Sequence, residues 1–178
     1  MRTISPLRRF AIATAGIACA AVLFRGNVAS ALVTRGDDQF RAGDASGAVR
    51  SYERAARFDP RSVTAADRLC FALLMRRAPG DAVAAYAASD RALRTAPGDA
   101  TLLADRAQAA LRLRRWRFAQ RDFAAAASIA RDPRYAHFAA RMAARAGDRR
   151  AERAQLEAAL VLDRSYAPAR LLLERLPR

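Results

Sequence analysis

Small and large residues recur at helical spacing along most of the chain after residue 31. The motif is a small residue, a large residue four positions later, and a second small residue after three more, so the three side chains share one helical face. Successive copies are offset by 37, 34 and 33 residues: Ala48/Tyr52/Ala55, Ala85/Ser89/Ala92, Ala119/Phe123/Ala126 and Glu152/Leu156/Ala159. Two copies depart from the motif, because Ser89 stands at a large position and Glu152 at a small one. The pattern predicts a repeated helical unit.

Turn and stop signals frame each copy of this motif. A turn pair precedes each copy: Gly43-Asp44, Gly80-Asp81, Arg114-Arg115 and Gly147-Asp148. In a Gly-Asp pair, glycine can take the left-handed position that ends one helix, and aspartate can cap the next helix. A stop follows each copy, and proline ends a helix because it lacks the N–H: Asp59-Pro60, Ala96-Pro97, Asp132-Pro133 and, without proline, Asp163-Arg164. Each unit is therefore predicted to be a helix, a tight turn, a second helix and a stop.

At these residues the chain resembles the tetratricopeptide repeat, whose unit of about 34 residues is a pair of antiparallel helices. The match is best over residues 42–60 (AGDASGAVRSYERAARFDP) and 111–133 (LRLRRWRFAQRDFAAAASIARDP). The resemblance implies an all-α, right-handed α-solenoid of about four helix pairs with a C-terminal capping helix. We predict helix pairs at residues 29–62, 63–99, 100–132 and 133–166, and the capping helix and tail at 167–178.

The first 28 residues are typical of a targeting segment. Arg2, Arg8 and Arg9 precede an uncharged apolar run over residues 10–24, which is the pattern of a signal peptide or signal anchor. Ala29-Ser30-Ala31 has the form of a cleavage site, but a cut there would remove the first turn of the first predicted repeat. Cleavage and anchoring both stay open, as does a buried N-terminal helix of a soluble protein. In the first two cases the rest of the chain is expected on the periplasmic side of the inner membrane.

The composition excludes several classes of catalytic and metal chemistry, but it does not identify a partner. The chain has 47 alanines and a net charge of +15, and all its bases are arginine, a bias that a GC-rich genome would also produce. The absence of lysine rules out Schiff-base and P-loop lysine chemistry. His137 is the single histidine, and no Ser or Cys stands at a spacing from it that a known catalytic triad uses. One histidine and the two separated cysteines, Cys19 and Cys70, are too few for a metal site or a disulfide framework. We therefore predict that the protein is not an enzyme and needs no cofactor or metal.

The segment of residues 111–121 is the most basic stretch and contains Trp116. It is open to three interpretations: a solvated helix-turn-helix corner, a contact for an anionic surface such as lipid headgroups, or a nucleic-acid site. Trp116 stands where the second helix of a repeat begins with a large core residue, and an exported domain meets little nucleic acid. The solvated corner is therefore favoured over nucleic acid.

The resemblance also implies a binding surface, because tetratricopeptide repeats bind partners in a groove lined by the first helix of each pair. Carrying that face over residue by residue gives Asp37, Phe40, Arg41, Asp67, Phe71, Met75, Gln108, Arg112, His137, Arg141 and Arg145. The first half of this set offers apolar contacts and the second half offers arginines, which bind carboxylates bidentately. The expected ligand therefore has apolar residues at one end and acidic residues or a free C-terminal carboxylate at the other.

These inferences predict an exported, membrane-tethered scaffold that binds a protein partner, as a peptide or helix, in its groove. Two alternatives stay open. The chain could be an accessory of a membrane assembly or secretion system that acts through its outer surface, or it could bind an anionic lipid or polymer through its arginines.

Overall fold

The computed structural model of the protein describes the backbone of residues 6–176 and the side chains of residues 24–176. Within that part of the chain every regular element is an α-helix. The helices are α1 Pro6–Arg41, α2 Ala45–Phe58, α3 Val63–Arg76, α4 Asp81–Leu93, α5 Ala100–Arg112, α6 Trp116–Ala130, α7 Pro133–Arg145, α8 Arg149–Leu162 and α9 Ala167–Arg175. Each helix packs on the next one along the chain, which confirms the predicted all-α solenoid.

The small–large–small motif lies in the core, where the second helix of each pair packs on its neighbours. Tyr52 is 2% exposed and Phe123 is 3% exposed, and Leu156 is fully buried. Gly36 on α1 packs so closely on the Tyr52 ring that an added Cβ would overlap it, which explains the small residue at this position. Ser89, the small substitute in the second pair, is also fully buried and donates its hydroxyl to the carbonyl of Ala85 at 2.8 Å.

The helix ends follow the turn chemistry at two of the three Gly-Asp pairs. Gly43 and Gly147 have φ of +84° and +76°, and each following aspartate caps the next helix. Asp44 accepts from the Gly47 amide at 2.7 Å and Asp148 from the Ala151 amide at 2.9 Å. The prediction that both residues of every Gly-Asp pair act in this way is wrong at the second pair.

At that second turn, Asp81 is the first residue of α4 and its carboxylate points back toward the end of α3. It accepts from Arg76 Nη2 at 2.6 Å, from Arg76 Nε at 3.0 Å and from the Ala78 amide at 2.8 Å. Arg77 takes the left-handed position that ends α3, with φ of +58°. The hydrogen bonds from Arg76 hold the pKa of Asp81 below its usual range. The loop at residues 77–80 allows this arrangement, because it separates Arg77, which ends α3, from Gly80, which precedes the first residue of α4.

A second arginine, on α5, joins the second and third helix pairs by binding carboxylates on α4 and α6. Arg106 on α5 binds Asp122 on α6 bidentately, with N···O distances of 2.7 and 2.9 Å, and it reaches Asp90 on α4 at 2.8 Å. Its guanidinium is largely shielded from solvent, so this contact is stronger than a typical surface ion pair.

Helix α1 continues without a break from the N-terminal segment into the first repeat. Ala29 and Val33 belong to the core that also contains Tyr52. The side chains of residues 10–23, including Cys19, lie outside the described residues. The predicted targeting segment at 1–28 therefore stays a prediction, as do the other domain boundaries. Among the described residues, no helix has the combined length and apolar character that crossing a bilayer requires.

Candidate binding groove

The first helices of successive pairs lie side by side along one surface of the solenoid. Helix α3 contacts both α1 and α5, although α2 and α4 intervene in the sequence. Contacts between α5 and α7 are sparser, and a pocket opens between these two helices. We call the surface formed by α1, α3, α5 and α7 the groove.

The α1–α3 part of the groove is apolar at one end. The rings of Phe40 and Phe71 lie 5.5 Å apart, and Phe71 and Met75 are exposed. Arg41 is also exposed and pairs with Asp38, one turn earlier on the same helix. These side chains leave an apolar surface open to a partner.

Asp37, also predicted to line the groove, is held by neighbouring side chains. It accepts a hydrogen bond of 2.6 Å from the Tyr52 hydroxyl and lies 3.4 Å from Arg68 Nε. Burial raises the pKa of the Tyr52 hydroxyl, and the hydrogen bond to Asp37 raises it further. Asp37 therefore orients Tyr52 in the core as well as facing the groove.

Two aspartates meet in the middle of the groove, and only one of them was expected there. Asp67 on α3 is half-buried and hydrogen-bonds with Asp105 on α5, which is 7% exposed. Burial raises the pKa of Asp105 to about 8, with a further contribution from the negative charge of Asp67. Asp105 therefore carries a proton at neutral pH and donates it to Asp67, since two adjacent carboxylates cannot both ionise cheaply. No N–H group of the described residues donates to Asp105 Oδ2, which is buried.

Sequence reasoning overlooked Asp105, although a signal was present. It is the single acidic residue inside the apolar stripe of α5, between Ala104 and Ala107, which are both buried. Cys70 packs on the same spot, with its sulfur 3.7 Å from the Asp105 carbonyl oxygen, and burial raises the pKa of its thiol. Cys70 is therefore a protonated core residue, in agreement with its place on the apolar stripe of α3.

The pocket between α5 and α7 has a volume of about 270 Å³. Its floor is apolar and aromatic. The centre of the Phe123 ring lies 5.4 Å from the centre of the Phe138 ring and 6.5 Å from that of Tyr135. Three of the predicted groove residues lie at its edge. The lining consists of Gln108, Leu111, Phe123, Tyr135, Phe138, Arg141, Met142 and Arg145.

The two arginines of the pocket have different surroundings. Arg145 places its guanidinium 5.2 Å from the centre of the Trp116 ring, which holds it at the pocket edge. Arg141 is exposed, and its charge adds to the lowering of the His137 pKa that burial mainly causes. His137 is therefore neutral at pH 7 and packs against Tyr166, with ring centres 5.9 Å apart. Arg112, the remaining predicted residue, is exposed at the end of α5.

The groove therefore has more features than the apolar first half and the arginine-rich second half that the sequence predicts. The structure places an acidic pair at its centre, and it adds aromatic side chains to the arginines of the last part. The reason is that Phe138 and Tyr135, three and six positions before Arg141, line the gap between α5 and α7. An apolar floor and two cationic edge groups are therefore combined in one pocket.

No family model and no curated protein matches the chain, whereas solved structures do. MamA of Desulfovibrio magneticus RS-1, residues 41 to the end, is 17% identical with a TM-score of 0.70, over 85% of this chain and 84% of that one. A tetratricopeptide repeat protein from Parabacteroides merdae is 19% identical with a TM-score of 0.68, over 85% of this chain and 60% of that one. This chain has the tetratricopeptide repeat fold. The described helices agree with that architecture.

A third neighbour of the same fold is YrrB, described as a TPR protein with an unusual peptide-binding site. It is 16% identical, with a TM-score of 0.67 over 82% of this chain and 74% of that one. At these identities the tetratricopeptide repeat likeness establishes the fold of the chain.

Proposed function

We propose that this protein is an exported, membrane-tethered scaffold that binds a segment of a partner protein along its groove. The coarser part of this proposal, a protein-interaction scaffold, is supported by the tetratricopeptide repeat fold and by a neighbour that has a peptide-binding site. The observation that carries the proposed binding of a partner segment is the pocket between α5 and α7, where an apolar floor lies beside Arg141 and Arg145.

The pocket suits a ligand that ends in an apolar residue with a free carboxylate. Its volume of about 270 Å³ accommodates one large apolar side chain against Leu111, Phe138 and Met142. A carboxylate attached to that residue would lie at the pocket edge, where guanidinium groups bind it with charge-assisted hydrogen bonds. The exposed Phe71 and Met75 offer a second apolar contact farther along the groove.

Reversing the charges at the pocket should weaken such a ligand. In the full chain, Arg141→Glu with Arg145→Glu is expected to reduce binding at least tenfold, about 1.4 kcal/mol, because both carboxylate-binding groups are lost. The probe is a fluorescent acidic peptide with a C-terminal leucine, compared by anisotropy with its C-terminally amidated form. The native chain should prefer the free carboxylate.

The matched control is Arg91→Glu with Arg94→Glu, two exposed arginines at the end of α4, away from the groove. This variant should bind the probe as the native chain does. Equal weakening by both variants, abolished at high salt, would mean that the contact is diffuse electrostatics and that the pocket is not the site.

The proposed tether rests on how α1 joins the core. Ala29 is buried in the first core, and α1 runs without interruption through the possible cleavage site after Ala31. Cleavage there would remove a core residue and the turn that carries it. We therefore favour an uncleaved anchor over a released domain.

The location of the repeats can be tested with reporter enzymes fused after Arg178. Because three arginines precede the apolar run, residues 32–178 should lie outside the cytoplasm. A reporter that is active only in the periplasm should give signal, and one active only in the cytoplasm should be silent. The reverse pattern would refute export.

A further inference from the structure

A cavity with a volume of about 780 Å³ lies where α1 enters the repeats. It is bounded by one side of α1 and by the C-terminal end of α2. Its lining residues are Arg25, Val28, Leu32, Arg54, Arg57, Phe58 and Pro60. The cavity is distinct from the groove pocket, with which it shares no lining residue.

The charged side chains that line this cavity, among the described residues, are all arginines: Arg25, Arg54 and Arg57. Glu53 is outside this lining and borders a neighbouring pocket together with Arg57. The ion pairs of the described residues do not include these three arginines, in contrast to Arg76 and Arg106, which are each held by a carboxylate. Three guanidinium groups around one cavity repel one another, so the arrangement favours an anionic guest.

The apolar residues beside the arginines are open to solvent. Phe58 is 47% exposed and Phe24, one position before Arg25, is 66% exposed. Helices that lie at the boundary between a membrane and water combine apolar residues such as Phe and Leu with arginines. An anion with an attached apolar group would satisfy both parts of this surface.

The position of the cavity along α1 suggests where that anion is found. Arg25 directly follows the apolar run of residues 10–24, and the helix is continuous across this boundary. At a rise of about 1.5 Å per residue, Arg25, Val28 and Leu32 lie within roughly 12 Å of the end of the run. If the run is held in a bilayer, the cavity opens at the depth of the lipid headgroups.

We propose that this cavity binds the phosphate headgroup of an anionic phospholipid, with Arg25, Arg54 and Arg57 as its ligands and Val28 and Phe58 against the start of the acyl chain. The lipid would fix how the repeats stand on the membrane, because α1 and α2 both contribute ligands. The inference rests on the tether proposed above and adds the class of lipid that the tethered domain prefers.

Native mass spectrometry of the full chain in detergent, with phosphatidylglycerol and phosphatidylcholine in equal amounts, tests the headgroup preference. Lipid adducts of the native chain should carry phosphatidylglycerol about tenfold more often, since each arginine near an anionic surface favours it by several-fold. Arg54→Gln with Arg57→Gln should bring the ratio close to one. Both residues are exposed, so the variant should retain the helical circular dichroism spectrum of the native chain.

The matched control is Arg149→Gln with Arg150→Gln, two exposed arginines in the first turn of α8 that remove the same charge far from the cavity. It should keep the native adduct ratio. A native ratio near one, or an equal loss in the control, would overturn the proposal. The proposal would also be overturned if free glycerol phosphate stabilised the folded chain while the lipid adducts showed no headgroup preference. The ligand of the cavity would then be a soluble phosphate.

Flotation with phosphatidylcholine vesicles separates this inference from the tether. The full chain, synthesised in their presence, should float with them through its apolar run, whatever the headgroup. If the chain floats but the mass spectra of its lipid adducts show no headgroup preference, the lipid site alone is overturned. A chain that stays at the bottom of the gradient would overturn the tether, and with it the lipid site.

Discussion

Replacing Phe123 by alanine should lower the free energy of unfolding by about 3 to 5 kcal/mol. The ring is 3% exposed and packs between Ala119 and Ala126, which are fully buried. It also contacts Tyr135 and Phe138 on the next helix pair, so its loss leaves a cavity at the joint between two repeats. In a solenoid, stability depends on such nearest-neighbour contacts, and the cooperativity of unfolding should fall as well.

Tyr52→Ala should have a comparable effect in the first pair, with one added consequence. It removes the ring against which Gly36 packs and also the hydroxyl that donates to Asp37. Chemical denaturation followed by circular dichroism measures both losses. Arg54→Ala and Arg57→Ala, on the exposed face of the same helix, are the controls and should stay within about 0.5 kcal/mol of the native chain. Losses of equal size at the arginines would mean that the repeat register is wrong.

Asp105→Asn should make the protein more stable at neutral and alkaline pH. In the folded chain the pKa of Asp105 is about 8, against about 3.9 for an unfolded aspartate. The folded state therefore binds a proton that the unfolded state releases, and native stability falls as pH rises from about 4 to about 8. Asparagine has nearly the same shape, can donate to Asp67 and does not ionise. The expected gain at pH 8 is about 2 to 4 kcal/mol.

Denaturation of the native chain and the variant at several pH values across this window tests the effect. The two should have similar stability near pH 4 and diverge as pH rises. Asp38→Asn, at an exposed position of α1, is the control and should run parallel to the native chain. If Asp105→Asn is less stable than the native chain at every pH, Asp105 is ionised in the folded state and does not donate a proton to Asp67.

The repeats were predictable from the sequence because their signals are local. Ala48, Tyr52 and Ala55 lie within two turns of one helix, so their spacing alone places them on one face. The capping residues Asp44 and Asp148 act on amides three positions away. Effects that act over only a few residues can be predicted from residue spacing alone.

The groove was predictable only in part, because its residues come together by stacking. The expected positions on α1, α3, α5 and α7 do include Phe40 beside Phe71, and Gln108, Arg141 and Arg145 around one pocket. Their spacing could not reveal that α5 and α7 separate and expose Phe138. The width of that gap depends on how all the side chains between the two pairs fill space.

The sequence by itself determined that this protein is a solenoid of helix pairs, where most of its turns lie and which rings fill its core. Only the tertiary structure decided which charges meet. Asp105 pairs with Asp67, which lies 38 positions earlier, and Arg106 binds Asp122, which lies 16 positions later. Arg54 and Arg57 line one cavity with Arg25, and no carboxylate of the described residues lines it. The physical reason is that electrostatic partners depend on distance and burial in three dimensions, and these are set by the angles at which successive helices pack.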